Sequence, residues 1–546
     1  MAIRKEVVST AINKADALIN KNIHNNIDKQ FDFRKQTIFS DETLTSEETS
    51  EILRILSKHR DKAKLLINEG SKRFCENCKE ECLATLYCEN CVRKFLKNNF
   101  SNWTSENDNI DKLIQKCQLE TLTPYNVVEW IPYDSLENVK YLTKGGYSEI
   151  YSADWKDGKY YEWDSKNQSL KRKGTSKVVL KKLKNIENAS KNWFEEAKSY
   201  FIASNNWKTI VKYFGITQDS MYGNYILVMK QLDMDLRKYL QKNHKQLKWG
   251  ERMQMTFNII STLHNIHGEN IIHKDLHSGN ILYLEKNKIW YISDLGFCGP
   301  ANKPLNSIYG NLPYIAPEVI YKKEYSSASD IYSIGMLMWE ISSGQPPFSS
   351  YEHDYNLAIR IVNGQRPETV LGTPSGYREL MEQCWNANPL KRPDINVLLN
   401  DIREIKRSYY ENKIDQKSED SVNDLIDVNS TLNTKNIGSK LYTFKDIPIP
   451  KNIIEDNDEI FNNPNLHSED QDELEIPDDI EDILGIPIDV KNDNNNDEPK
   501  QIPDEDSVSN DSKKKRNCSS INVLKDIITR LTKKKPKKNF IQIYEI

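Results

Sequence analysis

One stretch of this sequence contains most of the residues from which a large hydrophobic core can be built. Residues 125–409 are dense in Trp, Tyr, Leu and Ile, with β-rich segments first, long helical patterns later, and Gly and Pro between them. The rest of the 546-residue chain is much more polar. The sequence therefore predicts one sizeable domain with smaller segments attached at both ends.

The flanking segments differ in composition. Residues 1–72 are polar with apolar residues at helical spacing, which predicts a helical N-terminal extension. Residues 73–124 contain a cysteine cluster and a short linker helix. From residue 410 the chain is rich in Asn, Asp, Glu and Ser, and residues 451–510 are strongly acidic with almost no aromatic residues. Residues 410–546 are therefore predicted to form a disordered acidic tail.

The tail ends in a basic segment. The runs SKKKRN and KKKPKK flank apolar residues at helical spacing between Ile521 and Leu531, which predicts a short basic amphipathic helix. Such a helix can contact anionic surfaces or nuclear-import factors, and the alternative is a charged, disordered end. The sequence leaves these readings open.

The net charge and the hydropathy of the chain argue against two classes, nucleic-acid-binding proteins and membrane-spanning proteins. A net charge of −4 gives no general attraction to nucleic acid, so no specific nucleic-acid binding is expected. No run approaches the roughly 20 apolar residues that span a bilayer, and the first residues lack a signal-peptide core. We expect a cytoplasmic protein, with a nuclear location left open by the basic segment.

Four cysteines have the spacing of metal ligands. Cys75, Cys78, Cys88 and Cys91 form two Cys-x2-Cys pairs separated by nine residues. This spacing lets two knuckles meet on one tetrahedral Zn²⁺, and thiolate binding to zinc helps a small segment to fold. Cys82 is a further thiol that could exchange with a ligand. The alternative is four reduced cysteines on a loop.

The β-rich part of residues 125–409 contains a glycine turn and a lysine strand. YLTKGGYSEIYSADW alternates apolar and polar residues around Gly145 and Gly146, and KVVLKKL then supplies Lys181. Glycine lets backbone N–H groups approach phosphate oxygens because it has no Cβ, and a lysine on a neighbouring strand adds positive charge. Alone, the pattern also fits an ordinary hairpin.

A second group of polar residues follows in IIHKDLHSGNIL and YISDLGF. Phosphoryl transfer needs a carboxylate to orient the attacking hydroxyl and accept its proton, and it needs oxygen ligands for Mg²⁺. Asp275, Asn280 and Asp294 supply that set. An Asp and an Asn five residues apart can reach one metal and phosphate centre from a single loop. A plain turn is the alternative for these residue types.

These motifs, taken in order, resemble those of eukaryotic protein kinase domains over residues 125–409, nearest to the tyrosine-kinase-like group and to expanded fungal kinase families. The resemblance implies a bilobal α+β protein kinase fold, with a small β-rich N-lobe and a large helical C-lobe. It also implies ATP and Mg²⁺ as cofactors and proteins as substrates.

The resemblance implies a role for each motif residue. Asp275 would be the catalytic base, with Asn280 and Asp294 as Mg²⁺ ligands. Lys181 would pair with the α- and β-phosphates, and Glu196 would hold that lysine. The other residues implied to contact ATP are Leu142, Gly145, Gly146, Ile150, Met229 as gatekeeper, and Lys230, Gln231 and Leu232 against adenine, where a shift of one residue is left open.

Three further matches bear on the substrate. Ala316-Pro317-Glu318 resembles the motif that closes the activation segment, Asp330 the buried aspartate of helix αF, and Arg392 the arginine that pairs with Glu318. Small-molecule phosphotransferases of related fold generally lack these three features. Their joint presence favours a protein substrate.

The sequence departs from the family pattern at several positions. Thr143 and Ser148 occupy the outer glycine positions of the lid, and Lys274 replaces an arginine that binds a phosphorylated activation loop. His277 and Asn311 stand where Ser/Thr kinases usually have Lys and Thr. We predict an active kinase with a preference for Ser/Thr, and Tyr stays open. The alternative is a pseudokinase scaffold that binds nucleotide and protein partners.

Overall fold

The computed structural model describes residues 3–20, 23–144, 148–182, 191–295, 307–322, 324–415 and 439–444. The predicted lid glycines Gly145 and Gly146, the acidic stretch 451–510 and the basic C-terminal segment lie outside these residues.

The helices of the described residues are distributed along the chain up to residue 415. None of them combines the length and apolar character needed to cross a membrane. They are α1 (Lys5–Ala17), α2 (Ile27–Phe39), α3 (Ser46–Ile67), α4 (Glu89–Asn98), α5 (Asp108–Leu119), α6 (Lys191–Asn206), α7 (Leu236–Asn243), α8 (Trp249–Gly268), α9 (Pro317–Lys322), α10 (Ser327–Ser343), α11 (Tyr355–Val362), α12 (Ser375–Cys384) and α13 (Ile395–Asp415).

The strands are concentrated between residues 129 and 230. They are β1 (Arg73–Phe74), β2 (Glu81–Cys82), β3 (Glu129–Trp130), β4 (Leu136–Lys144), β5 (Glu149–Trp155), β6 (Tyr160–Asp164), β7 (Ser169–Arg172), β8 (Ser176–Lys182), β9 (Tyr213–Gln218), β10 (Tyr225–Lys230), β11 (Met234–Asp235), β12 (Ile281–Leu284), β13 (Ile289–Ile292), β14 (Ile308–Gly310) and β15 (Lys440–Tyr442).

The N-terminal helices α1, α2 and α3 pack around a small apolar core. The stripe predicted from the sequence supplies Ile52 and Leu56, both buried. Helix α3 begins at Ser46 because Thr45 and Glu48 form a capping box: Thr45 Oγ1 accepts a hydrogen bond from the Glu48 N–H at 3.2 Å, and Glu48 Oε2 accepts one from the Thr45 N–H at 3.0 Å. Local sequence therefore fixes where the longest of these three helices starts.

A six-stranded sheet with the order β3-β9-β10-β8-β5-β4 forms the β-rich half of the domain. Strand β10 pairs antiparallel with both β8 and β9. The register sets Lys181 opposite Leu227 on β10 and opposite Ile150 on β5. Alternation along β8 buries Val178 and Leu180 in a core on one face of the sheet. The lysine therefore occupies a central strand.

The half of the domain that follows residue 235 is mainly helical and is built around α8 and α10. Helix α10 is buried along almost its entire length, as its apolar sequence predicts. It ends at Gly344, which takes φ 73°, a left-handed conformation that glycine adopts without strain. The combination of this helical half with a sheet that is antiparallel except for the β3–β9 pair confirms the predicted α+β bilobal fold.

The structure differs from the prediction of a disordered tail that starts at residue 410. Helix α13 continues to Asp415, and residues 439–444 include strand β15, which pairs antiparallel with β14. Tyr442 is buried against the helical half of the domain. Composition averaged over the acidic tail does not reveal this short strand, because its stability comes from the surface on which it lies.

Candidate functional site

The loop that contains Asp275 is held by a buried aspartate on helix α10. The backbone N–H groups of His273 and Lys274 donate hydrogen bonds to Asp330 Oδ2 and Oδ1, at 2.8 and 3.0 Å. The ring of His267 lies 2.9 Å from the same carboxylate. Lys274 has φ 70°, a conformation that costs energy for a residue with a side chain. The Asp330 carboxylate offsets this cost because it accepts hydrogen bonds from the N–H groups of His273 and Lys274.

His273 connects this loop to the end of β13. Its Nδ1 accepts a hydrogen bond from the Asp275 N–H at 3.3 Å, so the proton of the neutral ring is on Nε2, which donates to the Ser293 carbonyl at 2.9 Å. Burial lowers the pKa of His273, which favours this neutral ring. The histidine therefore links Asp275 to the residue that precedes Asp294.

Asn280 is held in place by two backbone contacts. Its Nδ2 donates to the Asp275 carbonyl at 2.8 Å, and its own carbonyl accepts the Ser293 N–H at 2.8 Å. With the amide nitrogen bound in this way, Oδ1 is the side-chain atom that can serve as a metal ligand.

Lys181 and Asp294 join the two halves of the domain. Lys181 Nζ on β8 lies 2.9 Å from Asp294 Oδ1, and the lysine side chain is only 3% exposed. Asp294 has φ 61°, so the backbone changes direction just after strand β13. Glu196 lies on α6, but its side chain is outside the described part of the structure.

The carboxylate of Asp275 contacts a residue from the tail. Ser439 Oγ donates a hydrogen bond to Asp275 Oδ1 at 2.9 Å and lies 3.1 Å from His277 Nε2. Because His277 Nδ1 accepts the Gly279 N–H at 3.1 Å, the neutral ring carries its proton on Nε2 and donates it to Ser439. Burial alone would raise the pKa of Asp275, but His277 and the Ser439 hydroxyl outweigh it and lower the pKa.

The segment expected to contact adenine follows β10. Met229 is buried, and Lys230 Nζ donates to the Tyr291 hydroxyl at 2.8 Å. Gln231 Oε1 is buried without a hydrogen-bond partner among the described residues. Leu232 packs on the main core. An orphaned buried oxygen beside an apolar wall fits a polar ligand at this position.

Two further residues expected to contact ATP lie on the sheet. Leu142 on β4 is half exposed, and Ile150 on β5 is opposite Lys181. Leu142, Ile150 and Lys181 therefore lie on three adjacent strands of the sheet.

The four predicted cysteine ligands lie together. Cys75 Sγ is 3.6 Å from Cys91 Sγ, Cys78 Sγ is 3.6 Å from Cys88 Sγ, and all four sulfur atoms lie within 4.8 Å of one another. Tetrahedral zinc with Zn–S bonds of about 2.3 Å needs sulfurs about 3.8 Å apart, so this set fits the metal. Cys82 is buried and lies near Cys88 and Glu89.

Sequence comparisons match the region that contains the loop, the lysine strand and the sheet. A family model described as protein tyrosine and serine/threonine kinase matches residues 136–402. Residues 136–402 are a protein kinase domain. The resemblance to eukaryotic protein kinases is therefore confirmed.

Individual relatives match the same region. A dual serine/threonine and tyrosine protein kinase of Pimephales promelas is 29% identical over 38% of this chain and 24% of its own length. The relative of the same name from Mus musculus is 30% identical over 36% of this chain and 22% of its own length. Probable serine/threonine-protein kinase pats1 of Dictyostelium discoideum is 26% identical over 49% of this chain and 8% of its own length. The chain thus spans at most about a quarter of these relatives.

Sequence reasoning missed Ser439 and Tyr442, which lie beyond the kinase domain in the chain and yet contact it. The segment SKLYTF has three large apolar residues within an otherwise polar tail, and this local concentration was the available signal.

Proposed function

We propose that this protein is an active kinase that transfers the γ-phosphate of ATP to protein hydroxyls in the presence of Mg²⁺. The observation that carries the proposal is the convergence of Lys181 with Asp294, 2.9 Å apart, beside a loop whose Asn280 is bonded to Asp275. Few other functions require a buried lysine, two carboxylates and an amide in this arrangement.

Each of these residues has its own proposed role in the reaction. Asp275 orients the acceptor hydroxyl and accepts its proton. Asn280 and Asp294 would hold Mg²⁺, and the bound ion would neutralise charge on the phosphate oxygens. Lys181 binds the α- and β-phosphates, and Glu196 on α6 positions the lysine. Asp330 is a positioning residue, because it acts on the loop backbone and not on the reacting atoms.

ATP is proposed to bind between the sheet and the segment after β10. Apolar surface for adenine would come from Leu142, Ile150, Met229 and Leu232. The Gln231 oxygen, which has no hydrogen-bond partner in the described part of the chain, supports a polar group there. Gly145 and Gly146 are proposed to bring backbone N–H groups to the phosphates, as their sequence suggests.

A preference for serine and threonine is the finer part of the proposal. A serine hydroxyl lies within hydrogen-bond distance of Asp275, and His277 donates to the same oxygen. Tyrosine stays open as a second acceptor, because two of the relatives are named as dual serine/threonine and tyrosine kinases.

Cys75, Cys78, Cys88 and Cys91 are proposed to hold a structural Zn²⁺. The sulfur separations support this assignment, as does the small size of the module around them. Strands β1 and β2 are two residues long each, so hydrogen bonds of the hairpin alone provide little stability.

Two measurements on the full chain test the kinase proposal. ATP with Mg²⁺ should raise the Tm of wild type, and Asp294→Asn should remove the Mg²⁺-dependent part of the shift. The same variant should lower phosphate incorporation into a generic protein substrate by at least about 100-fold. Asp108→Asn is the control, because its side chain is 93% exposed on α5.

A pseudokinase scaffold would give a different pattern. Nucleotide would raise the Tm, but wild type and Asp294→Asn would incorporate equal background amounts of phosphate. That result would contradict the proposal.

A further inference from the structure

We propose that Ser439 is an intramolecular phosphorylation site, with residues 439–444 bound as a strand in the acceptor site of their own kinase domain. This inference rests on the proposed kinase function. Ser439 is the acceptor residue, and the edge of β14 is the surface that binds the acceptor segment.

The first support is the register between the tail and the segment that precedes the closing motif. Strand β15 pairs with β14 so that Ile308 is opposite Tyr442, Tyr309 opposite Leu441 and Gly310 opposite Lys440. Addition of a strand to an exposed edge is a common way to bind an extended peptide, because backbone hydrogen bonds set its position. The next pair in this antiparallel register brings Ser439 to Asn311, beside the loop that carries Asp275.

The second support is the apolar anchor after the serine. The rings of Tyr442 and Phe444 stack with their centroids 5.3 Å apart and their planes 20° apart. Phe444 also contacts Tyr355 on α11, with centroids 6.1 Å apart. Tyr442 is 8% exposed and belongs to the main core cluster. Burial of these rings stabilises this short strand within an otherwise polar tail.

The third support is the geometry at the hydroxyl. Ser439 is 7% exposed, and its Oγ–H donates to Asp275 Oδ1 at 2.9 Å while the oxygen accepts from His277 Nε2 at 3.1 Å. This leaves one lone pair on the oxygen for attack. A general base has to lie at this distance from the oxygen atom whose proton it removes.

The reaction follows from these positions. Ser439 Oγ attacks the γ-phosphorus of ATP and forms a new P–O bond. The bond between the γ-phosphorus and the oxygen that bridges it to the β-phosphorus breaks, and ADP leaves with both electrons of that bond. The hydroxyl proton passes to the Asp275 carboxylate. Atoms and charge balance with ATP as the only second reactant.

The tether makes the reaction intramolecular. Only residues 416–438, 23 residues, lie between the end of α13 and Ser439. Because Ser439 and Asp275 belong to one chain, the concentration of the acceptor at the site does not depend on the concentration of the enzyme.

Phosphorylated Ser439 would not stay bound beside Asp275. A phosphoserine carries about −1.5 to −2 charges at neutral pH, and here it would lie against the Asp275 carboxylate. Repulsion between them, and the cost of burying both charges, would release residues 439–444 from the domain. Phosphorylation of Ser439 would then open the acceptor site to other substrates.

The test is a time course with the dephosphorylated full chain, ATP and Mg²⁺, followed by mass spectrometry of the Ser439 peptide. The fraction phosphorylated at each time should stay the same over a 100-fold range of enzyme concentration. Casein in the same tubes reports activity on an external substrate. Ser439→Ala should remove the phosphate from this peptide, and Ser430→Ala, nine residues earlier, should not.

The outcomes separate the two proposals. Phosphate on casein with none on Ser439 would overturn the Ser439 proposal and leave the kinase proposal standing. A rate at Ser439 that falls tenfold on tenfold dilution would overturn the intramolecular reaction. No phosphate on either protein would overturn both proposals.

Tyr442→Ala should slow Ser439 phosphorylation at least fivefold with the rate on casein undiminished. An unchanged rate of Ser439 phosphorylation would contradict the docked strand.

Discussion

Arg392 and Glu318 form a bidentate ion pair across 74 residues of sequence, with Nη1 and Nη2 of the arginine each 2.7 Å from a carboxylate oxygen. The arginine also donates to the Asn386 and Ala328 carbonyls at 2.8 Å, and its side chain is fully buried. The pair joins the closing motif to the loop before α13. This confirms the partner that the family resemblance implies for Arg392.

Replacement of this arginine should be costly. Arg392→Ala leaves the Glu318 carboxylate buried without its partner and should lower the free energy of unfolding by about 3–5 kcal/mol. Arg392→Lys should recover only part of the loss, because lysine lacks the planar fork. Denaturant unfolding measures both. Arg54→Ala breaks an exposed pair with Glu51 on α3 and should cost under about 1 kcal/mol. Equal losses at Arg392 and Arg54 would contradict this account.

Removal of metal should unfold the cysteine module. The wild-type chain should contain one zinc per molecule by elemental analysis, and Cys78→Ser or Cys88→Ser should lower that content below about 0.2 per molecule because three ligands hold zinc far more weakly than four. A chelator should lower the Tm of wild type and leave that of the variants unchanged. Cys518→Ser, outside the cluster, is the control. A zinc-free wild-type chain with an unaltered Tm in chelator would exclude the site.

Glu129 should make stability depend on pH. It is buried on β3 with its Oε2 2.5 Å from Arg172 Nη2, and burial raises its pKa to about 7 although Arg172 opposes the change. Its ordinary value is 4.5, so between pH 4.5 and about 7 the folded chain binds more protons than the unfolded chain. Stability contributed by this group is therefore present below pH 4.5 and is lost as pH rises through 7.

Glu129→Gln removes this titration. The free energy of unfolding of the variant minus that of wild type should rise by about 1–3 kcal/mol from pH 4.5 to about pH 7.5. Denaturant unfolding across that range measures the difference. Glu137→Gln, from an exposed pair with Lys156, should give a difference that does not change with pH. If the difference in the free energy of unfolding between Glu129→Gln and wild type does not change with pH, the Arg172 charge fully cancels the effect of burial on the pKa of Glu129.

The fold class was predictable because its signals are local. Alternation on β8, the apolar length of α10 and the glycine after it can each be read in a short window of sequence. The common location of the four cysteines was predictable for the same reason, because two Cys-x2-Cys pairs at this spacing can meet at one site.

The candidate site was predictable only in part. Motif order identified Asp275, Asn280, Asp294 and Lys181, and the structure brings the lysine and Asp294 into contact. The contact between Ser439 and Asp275 joins residues 164 positions apart, and no periodicity in the sequence encodes it. The contact of His277 Nε2 likewise depends on Ser439, whereas the contact of Nδ1 with the Gly279 N–H is local.

We propose that Asp275 is the catalytic base for phosphoryl transfer in this chain. The most direct test is incorporation of labelled γ-phosphate into casein by wild type and by Asp275→Asn, at equal concentration and with equal Tm in the presence of ATP and Mg²⁺. We predict that wild type labels casein and that Asp275→Asn loses at least about 100-fold in rate while it still binds nucleotide. Equal labelling by the two proteins would contradict the account.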